Sequence, residues 1–112
     1  MLLALDISTS CTGYCIFDED KLIDIGSINL SKHKGLFEKA ALVKSEILKL
    51  SNTYQISNVA VEENLQAFRP GLSSAKTLMT LAQFNGVVRW ICHERLDVPV
   101  VSINVNAARK NV

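Results

Sequence analysis

Two short apolar runs in this chain each close on an acid, and each carries an alanine two residues earlier: Leu3-Ala4-Leu5-Asp6 and Val59-Ala60-Val61-Glu62. Side chains alternate across a strand, so Ala4 and Asp6 share one face of the first run, as Ala60 and Glu62 do in the second. Glu63 falls on the face opposite Glu62. A buried charge without a partner is costly, so the fold must either solvate these acids or bring something positive to them. If the two runs are parallel neighbours, about 4.8 Å apart, their terminal carboxylates converge at one end of a sheet. The stretch between them is long enough for the crossover that parallel pairing requires.

The remaining segments supply the other strands and the crossover. After Asp6, a small-hydroxyl loop (Ser8, Thr9, Ser10, Thr12) and Gly13 lead into a second apolar run over residues 14–17. That run reads as the antiparallel partner of the first, which is itself expected to be buried on both faces. Asp18-Glu19-Asp20-Lys21 forms a solvated turn. Strand character resumes over 22–30, where Gly26 suggests a bulge. After a polar connector the period changes: Leu36, Ala40, Val43, Ile47 and Leu50 recur at three- and four-residue spacing. Glu38, Lys39, Lys44, Glu46 and Lys49 fall mostly on the other side. This predicts an amphipathic helix over 36–50, ended by Ser51-Asn52-Thr53.

A fourth strand is predicted over 56–63 and a loop over 64–72. Ser73 or Ser74 caps a second helix running to about Arg95. This helix carries more apolar surface than one core face needs. A fifth strand spans 98–103, with Pro99 near its start where a missing N–H is tolerated. Residues 104–112 open another helix. The expectation is a single α/β domain of 112 residues built on a mixed five-stranded sheet: three strands in an antiparallel meander, then helix, strand, helix, strand.

Composition narrows the partners. A net charge of +1 does not announce a nucleic-acid partner, although a local groove can be basic in a balanced chain. Cys11, Cys15 and Cys92 form no CxxC pair and read as reduced, buried, small hydrophobes, in keeping with a cytoplasmic location. No signal peptide is expected: the amino terminus lacks a basic n-region, and its apolar run is interrupted at Asp6. No run approaches bilayer-spanning length, so no membrane partner is expected.

Two converging carboxylates repel each other, and a cation between them relieves the repulsion. Oxygen-only ligands favour Mg²⁺ or Mn²⁺, and such a pair is the beginning of a two-metal phosphodiesterase site. At this point the chain resembles the RuvC-like Holliday-junction resolvases, particularly their phage-type relatives, which have the ribonuclease-H-like fold. The pieces that carry the resemblance are LALDISTSCTGYCIF (3–17), NVAVEENLQAF (58–68), SSAKTLMTLAQFNGVV (73–88) and VPVVSINVNAARK (98–110).

The resemblance implies a metal-dependent endonuclease acting on four-way or other branched DNA. It gives Asp6 and Glu62 the catalytic and metal-binding roles, and places Phe68 against junction DNA. It also implies a homodimer formed through the helix over 73–95. Arg69, beside Phe68, is the foremost candidate for a phosphate contact, with Lys76 and Arg89 behind it. Ser8 and Thr9 complete the DNA-binding set. The chain departs from the family in having Ile7-Ser8 where Pro-Gly is frequent. It also has no acid after Asp97, whereas the family carries its remaining catalytic acids on a C-terminal helix. Residues 104–110 resemble the approach to that helix, so the chain is expected to be C-terminally truncated and inactive alone.

Other residues have plainer readings. His33 and His93 are expected at the surface, and Trp90 in the core or a dimer contact rather than as a base-stacking platform. A second functional reading is an ATP-binding lobe like those of actin and the sugar kinases, with Ser8, Thr9 and Ser10 in its phosphate loop. Asp6 is not followed by the glycine that loop uses, and no adenosine-binding Gly-Gly motif is present. A third reading is a noncatalytic DNA-binding or dimerising domain.

Overall fold

Among the described residues, 1–62 and 75–103 of a computed structural model, the elements follow one another in the predicted sequence. Strands β1 (Leu2–Asp6), β2 (Cys11–Asp18) and β3 (Lys21–Asn29) come first, then helix α1 (Leu36–Thr53). Strand β4 (Asn58–Glu62), helix α2 (Ala75–Leu96) and strand β5 (Val100–Ile103) complete the set. Side by side, the strands lie in the order β3-β2-β1-β4-β5. The first three form the antiparallel meander, while β4 pairs with β1 and β5 with β4 in parallel. This is the mixed five-stranded α/β class of the ribonuclease-H-like fold.

Both helices pack on the same face of the sheet. Leu3, Leu5 and Ile7 from the first strand region, with Val59 and Val61 of β4, are buried there. They meet Ala40, Val43, Ile47 and Leu50 of α1 and Phe84, Val88, Ile91 and Cys92 of α2. Each fully buried large side chain stabilises the fold by about 1.5–3 kcal/mol, so this face dominates stability. The amino terminus is fixed as well. The Met1 ammonium donates to the Gln55 carbonyl at 2.8 Å, and the Ser57 N–H donates to the Met1 carbonyl at 2.8 Å. These bonds hold the start of β1 against the approach to β4.

The structure corrects several expectations. Strand β1 alternates in burial until Asp6 is exposed, because among the described residues the helices pack on one face only. Gly26 lies in regular pairing opposite Tyr14, and the register shift sits between Ile16 and Phe17 instead. The glycine is needed because an added Cβ would collide with the Tyr14 ring. Helix α1 runs one turn longer than expected, its end held by Thr53 Oγ1 donating to the Lys49 carbonyl and the Tyr54 N–H to the Leu50 carbonyl. Trp90 is not in the core: it is 61% exposed, and Met79 is 64% exposed. Helix α2 turns Phe84, Val88 and Ile91 inward instead. Of the cysteines only Cys92 is buried, Cys15 being half-buried and Cys11 exposed. Burial pushes the Cys92 thiol up to about 12. Glu63, the loop over 64–72, the capping serines 73 and 74, and residues 104–112 lie outside the described residues.

Candidate active site

Pairing of β1 with β4 sets the geometry of the two acids. Ala4 lies beside Ala60 and Leu5 beside Val61. The next residue of each strand is an acid, Asp6 on β1 and Glu62 on β4, and neighbouring strands run about 4.8 Å apart. Both belong to the face that carries Ala4 and Ala60, opposite the one packed by α1 and α2. Asp6 is exposed and Glu62 half-buried. Gly13 of β2 is the partner of Asp6 on its other side, and a Cβ there would lie 3.9 Å from the Asp6 Cβ. Ala4, Ala60 and Gly13 are thus the small residues that neighbour the acids on this face.

Two adjacent carboxylates offer hard oxygen donors, the chemistry that suits Mg²⁺ or Mn²⁺. Among the described residues no group of three or more His, Cys, Asp and Glu side chains is placed to hold a metal ion. Asp6 and Glu62 close adjacent strands at this edge of the sheet.

The loop between β1 and β2 borders this edge and is tightly organised. Thr12, fully buried, donates its hydroxyl to the Ser8 carbonyl at 3.0 Å and accepts from the Ser8 N–H at 3.3 Å. The Ser8 hydroxyl lies 3.1 Å from that of Ser10 and accepts from the Ser10 N–H at 3.3 Å. The Leu30 N–H donates to the Ser10 carbonyl at 2.9 Å. Finally, Lys39 of α1 donates its Nζ to the Thr9 carbonyl at 2.6 Å. Ser8 and Thr9 are half-buried at this border, while Lys76 is exposed in the first turn of α2. Phe68 and Arg69 lie outside the described residues.

Arg89 is half-buried, and its Nε has no hydrogen-bond partner among the described residues. His93 is exposed, and His33 Nδ1 lies 4.0 Å from a Glu38 carboxylate oxygen. Lys39 is the residue that pattern reading misplaced, since its position among solvated charges of α1 gave no hint of a partner thirty residues earlier. One signal was available: a lysine in a first helical turn opposes the helix dipole.

The sheet order and the parallel β1–β4 pair define a ribonuclease-H-like fold, and within that fold the chain is similar to RuvC-like resolvases. Over 69 residues, 55% of this chain, it is 30% identical to the crossover junction endodeoxyribonuclease RuvC of Ehrlichia ruminantium, a stretch covering 43% of that protein. RuvC of T. thermophilus, solved in complex with a Holliday junction substrate, superposes with a TM-score of 0.74 at 18% identity, covering 92% of this chain and 63% of that one. The yeast mitochondrial Holliday junction resolvase superposes with a TM-score of 0.62 at 15% identity, covering 97% of this chain and 52% of that one. No family model matches the chain. The chain thus spans less than two thirds of the length of each of these relatives.

Proposed function

We propose that this chain is the ribonuclease-H-like domain of a divalent-metal-dependent, structure-selective endonuclease that resolves four-way or other branched DNA junctions by phosphodiester hydrolysis. The observation that supports the reading is the in-register parallel pairing of β1 with β4, strands that end on Asp6 and Glu62. In this reading both are metal ligands and catalytic residues for Mg²⁺ or Mn²⁺. A two-ion site, when filled, activates the attacking water and stabilises the leaving oxygen. The protein's share is to hold both carboxylates on rigid strands and to keep the approach clear through Ala4, Ala60 and Gly13. Ser8, Thr9 and Lys76 contact the DNA backbone, Arg69 a phosphate, and Phe68 a base exposed at the junction.

A four-way junction has two strands to cut, so two sites are needed, and a homodimer through α2 supplies them. An open apolar groove of about 860 Å³ between α1 and α2, lined by Phe37, Ala40, Gly86, Val87 and Trp90 among others, supports that choice of face. Phe37 is 79% exposed there. The enzyme would act in the cytoplasm, where its three free cysteines stay reduced.

Two carboxylates leave most coordination positions of each ion to water, so residues 1–112 alone are expected to cleave junctions slowly or not at all. The test is a gel assay on a synthetic four-way junction with Mg²⁺ or Mn²⁺, using this chain and a form extended past Val112. The extended form should cut, and Asp6→Asn or Glu62→Gln should abolish cutting with little change in melting temperature. Full activity in either variant would overturn the assignment of the site.

A further inference from the structure

The loop that leaves Asp6 is tied to three elements, and the tie to α1 is of a different kind from the others. Thr12 and Leu30 hold the loop through a neutral hydroxyl and a backbone N–H. Lys39 holds it through a charged donor, at 2.6 Å from the Thr9 carbonyl and partly buried. Charge-assisted bonds of this length are about twice as strong as neutral ones.

Position 39 is also a poor place for a cation. It lies in the first turn of α1, which begins at Leu36, where the positive end of the helix dipole disfavours a lysine. Glu38, the acid of the same turn, suits that end of the dipole, whereas Lys39 runs against it. A residue that breaks a local rule is expected to serve a contact elsewhere, and the contact of Lys39 is the Thr9 carbonyl. Between Asp6 and the loop lies a single residue, Ile7, whose side chain is locked in the core. Little slack remains, so the position of Thr9 governs where the loop can go and how the end of β1 is presented.

We propose that Lys39 is a positioning residue. Its ammonium, clamped on the Thr9 carbonyl, holds the β1–β2 loop against α1. The clamp thereby sets the Asp6 carboxylate and the Ser8 and Thr9 hydroxyls for a divalent cation and the phosphodiester it accompanies. The ligand rests on the proposed function, while the clamp rests on the geometry alone.

The experiment separates the two. Lys39→Met keeps the aliphatic stem and removes the donor, Lys39→Gln shortens the reach while staying polar, and Lys39→Arg restores a charged donor. Amide hydrogen exchange is followed by NMR on the metal-free 112-residue protein. Exchange at residues 9–11 should quicken about tenfold or more in Lys39→Met and Lys39→Gln, with exchange in β4 and the core of α2 unchanged, and Lys39→Arg should restore it. Mn²⁺ alone is then titrated against paramagnetic broadening of the Asp6 and Glu62 amides. Loss of positioning should raise the Mn²⁺ midpoint several-fold.

A lysine that was only a nearby positive charge would give the opposite sign, because removing it would tighten Mn²⁺ binding. Tighter binding in Lys39→Met, or unchanged loop exchange, overturns the proposal. If the wild-type protein shows no Mn²⁺ broadening, the metal reading of the site falls, together with the part of the proposal that names a ligand. Loop exchange then still decides the clamp.

Discussion

The two faces of the sheet are built from alternate residues of the same strands, yet they follow different rules. On the covered face Leu3, Leu5, Val59 and Val61 disappear beneath two helices. On the open face the same strands carry Ala4, Asp6, Ala60 and Glu62, and the strands beside them carry Ile25 at 67% exposure and Val101 at 56%. The covered face is filled to the density at which single methylene groups matter. The open face trades bulk for access: its smallest residues stand next to its acids, and its larger apolar side chains sit on the strands further out. Stability and chemistry are thus separated by one residue along the chain, Leu5 from Asp6.

That separation can be broken most forcefully at Phe84, the largest fully buried side chain. Phe84→Ala should lower unfolding free energy by about 3–5 kcal/mol in urea titration, and Leu5→Ala by about 2–5 kcal/mol. On the open face, Ile25→Thr and Val101→Thr should each fall within about 0.5 kcal/mol of the wild type. Comparable losses on both faces would erase the contrast.

Thiol chemistry sharpens the comparison less drastically. Cys11, exposed on the open face, should react with a thiol reagent at pH 8, while buried Cys92 should react only on unfolding. The folded Cys92 thiol titrates near 12, above its unfolded value of about 8.5. The unfolded state therefore loses this proton first. This contribution to stability is complete below about pH 8.5 and declines as pH rises toward 12. A Cys92→Ala variant should lose this part of the alkaline decline in a series of melts.

The smallest effect is expected at Tyr54. Its hydroxyl donates to Asp24 at 2.9 Å, and that bond, followed by burial, raises its titration above the usual tyrosine range. Stability from this bond is present below about pH 10 and lost as pH rises through the folded value. Tyr54→Phe should lower the melting temperature slightly at pH 7 and flatten the fall above pH 10.

Much of this architecture was legible because periodicity reports burial directly. The three- and four-residue spacing of Ala40, Val43, Ile47 and Leu50 revealed α1, and the matched acid-ended runs revealed the β1–β4 pair. What alternation in one strand does not report is whether a second layer covers its other face, so β1 was expected to be buried on both. Helix α2 mixes apolar and polar residues around its circumference, and a pattern with no distinct polar side does not say which residues turn inward. The apolar neighbours of Trp90 on its helix point to the core or a dimer contact, but the core is filled by Phe84. The strand-end positions of Asp6 and Glu62 are readable from their own apolar runs. The Lys39 clamp was not, because its partner lies far away in the chain and its neighbours on α1 are solvated charges.

The pairing of Leu2 with Asn58 has a consequence for synthesis. The meander β1–β3 can form from local contacts, but the inner edge of β1 stays unpaired until the ribosome has released the chain through β4. Closing that gap means bringing together segments more than fifty residues apart, a slow step for a chain of this size. Until then β1 presents free backbone donors and acceptors to other nascent copies. Truncations ending within α1 should therefore aggregate rather than fold, whereas the Met1–Gln55 and Met1–Ser57 bonds form only as that vulnerable interval ends.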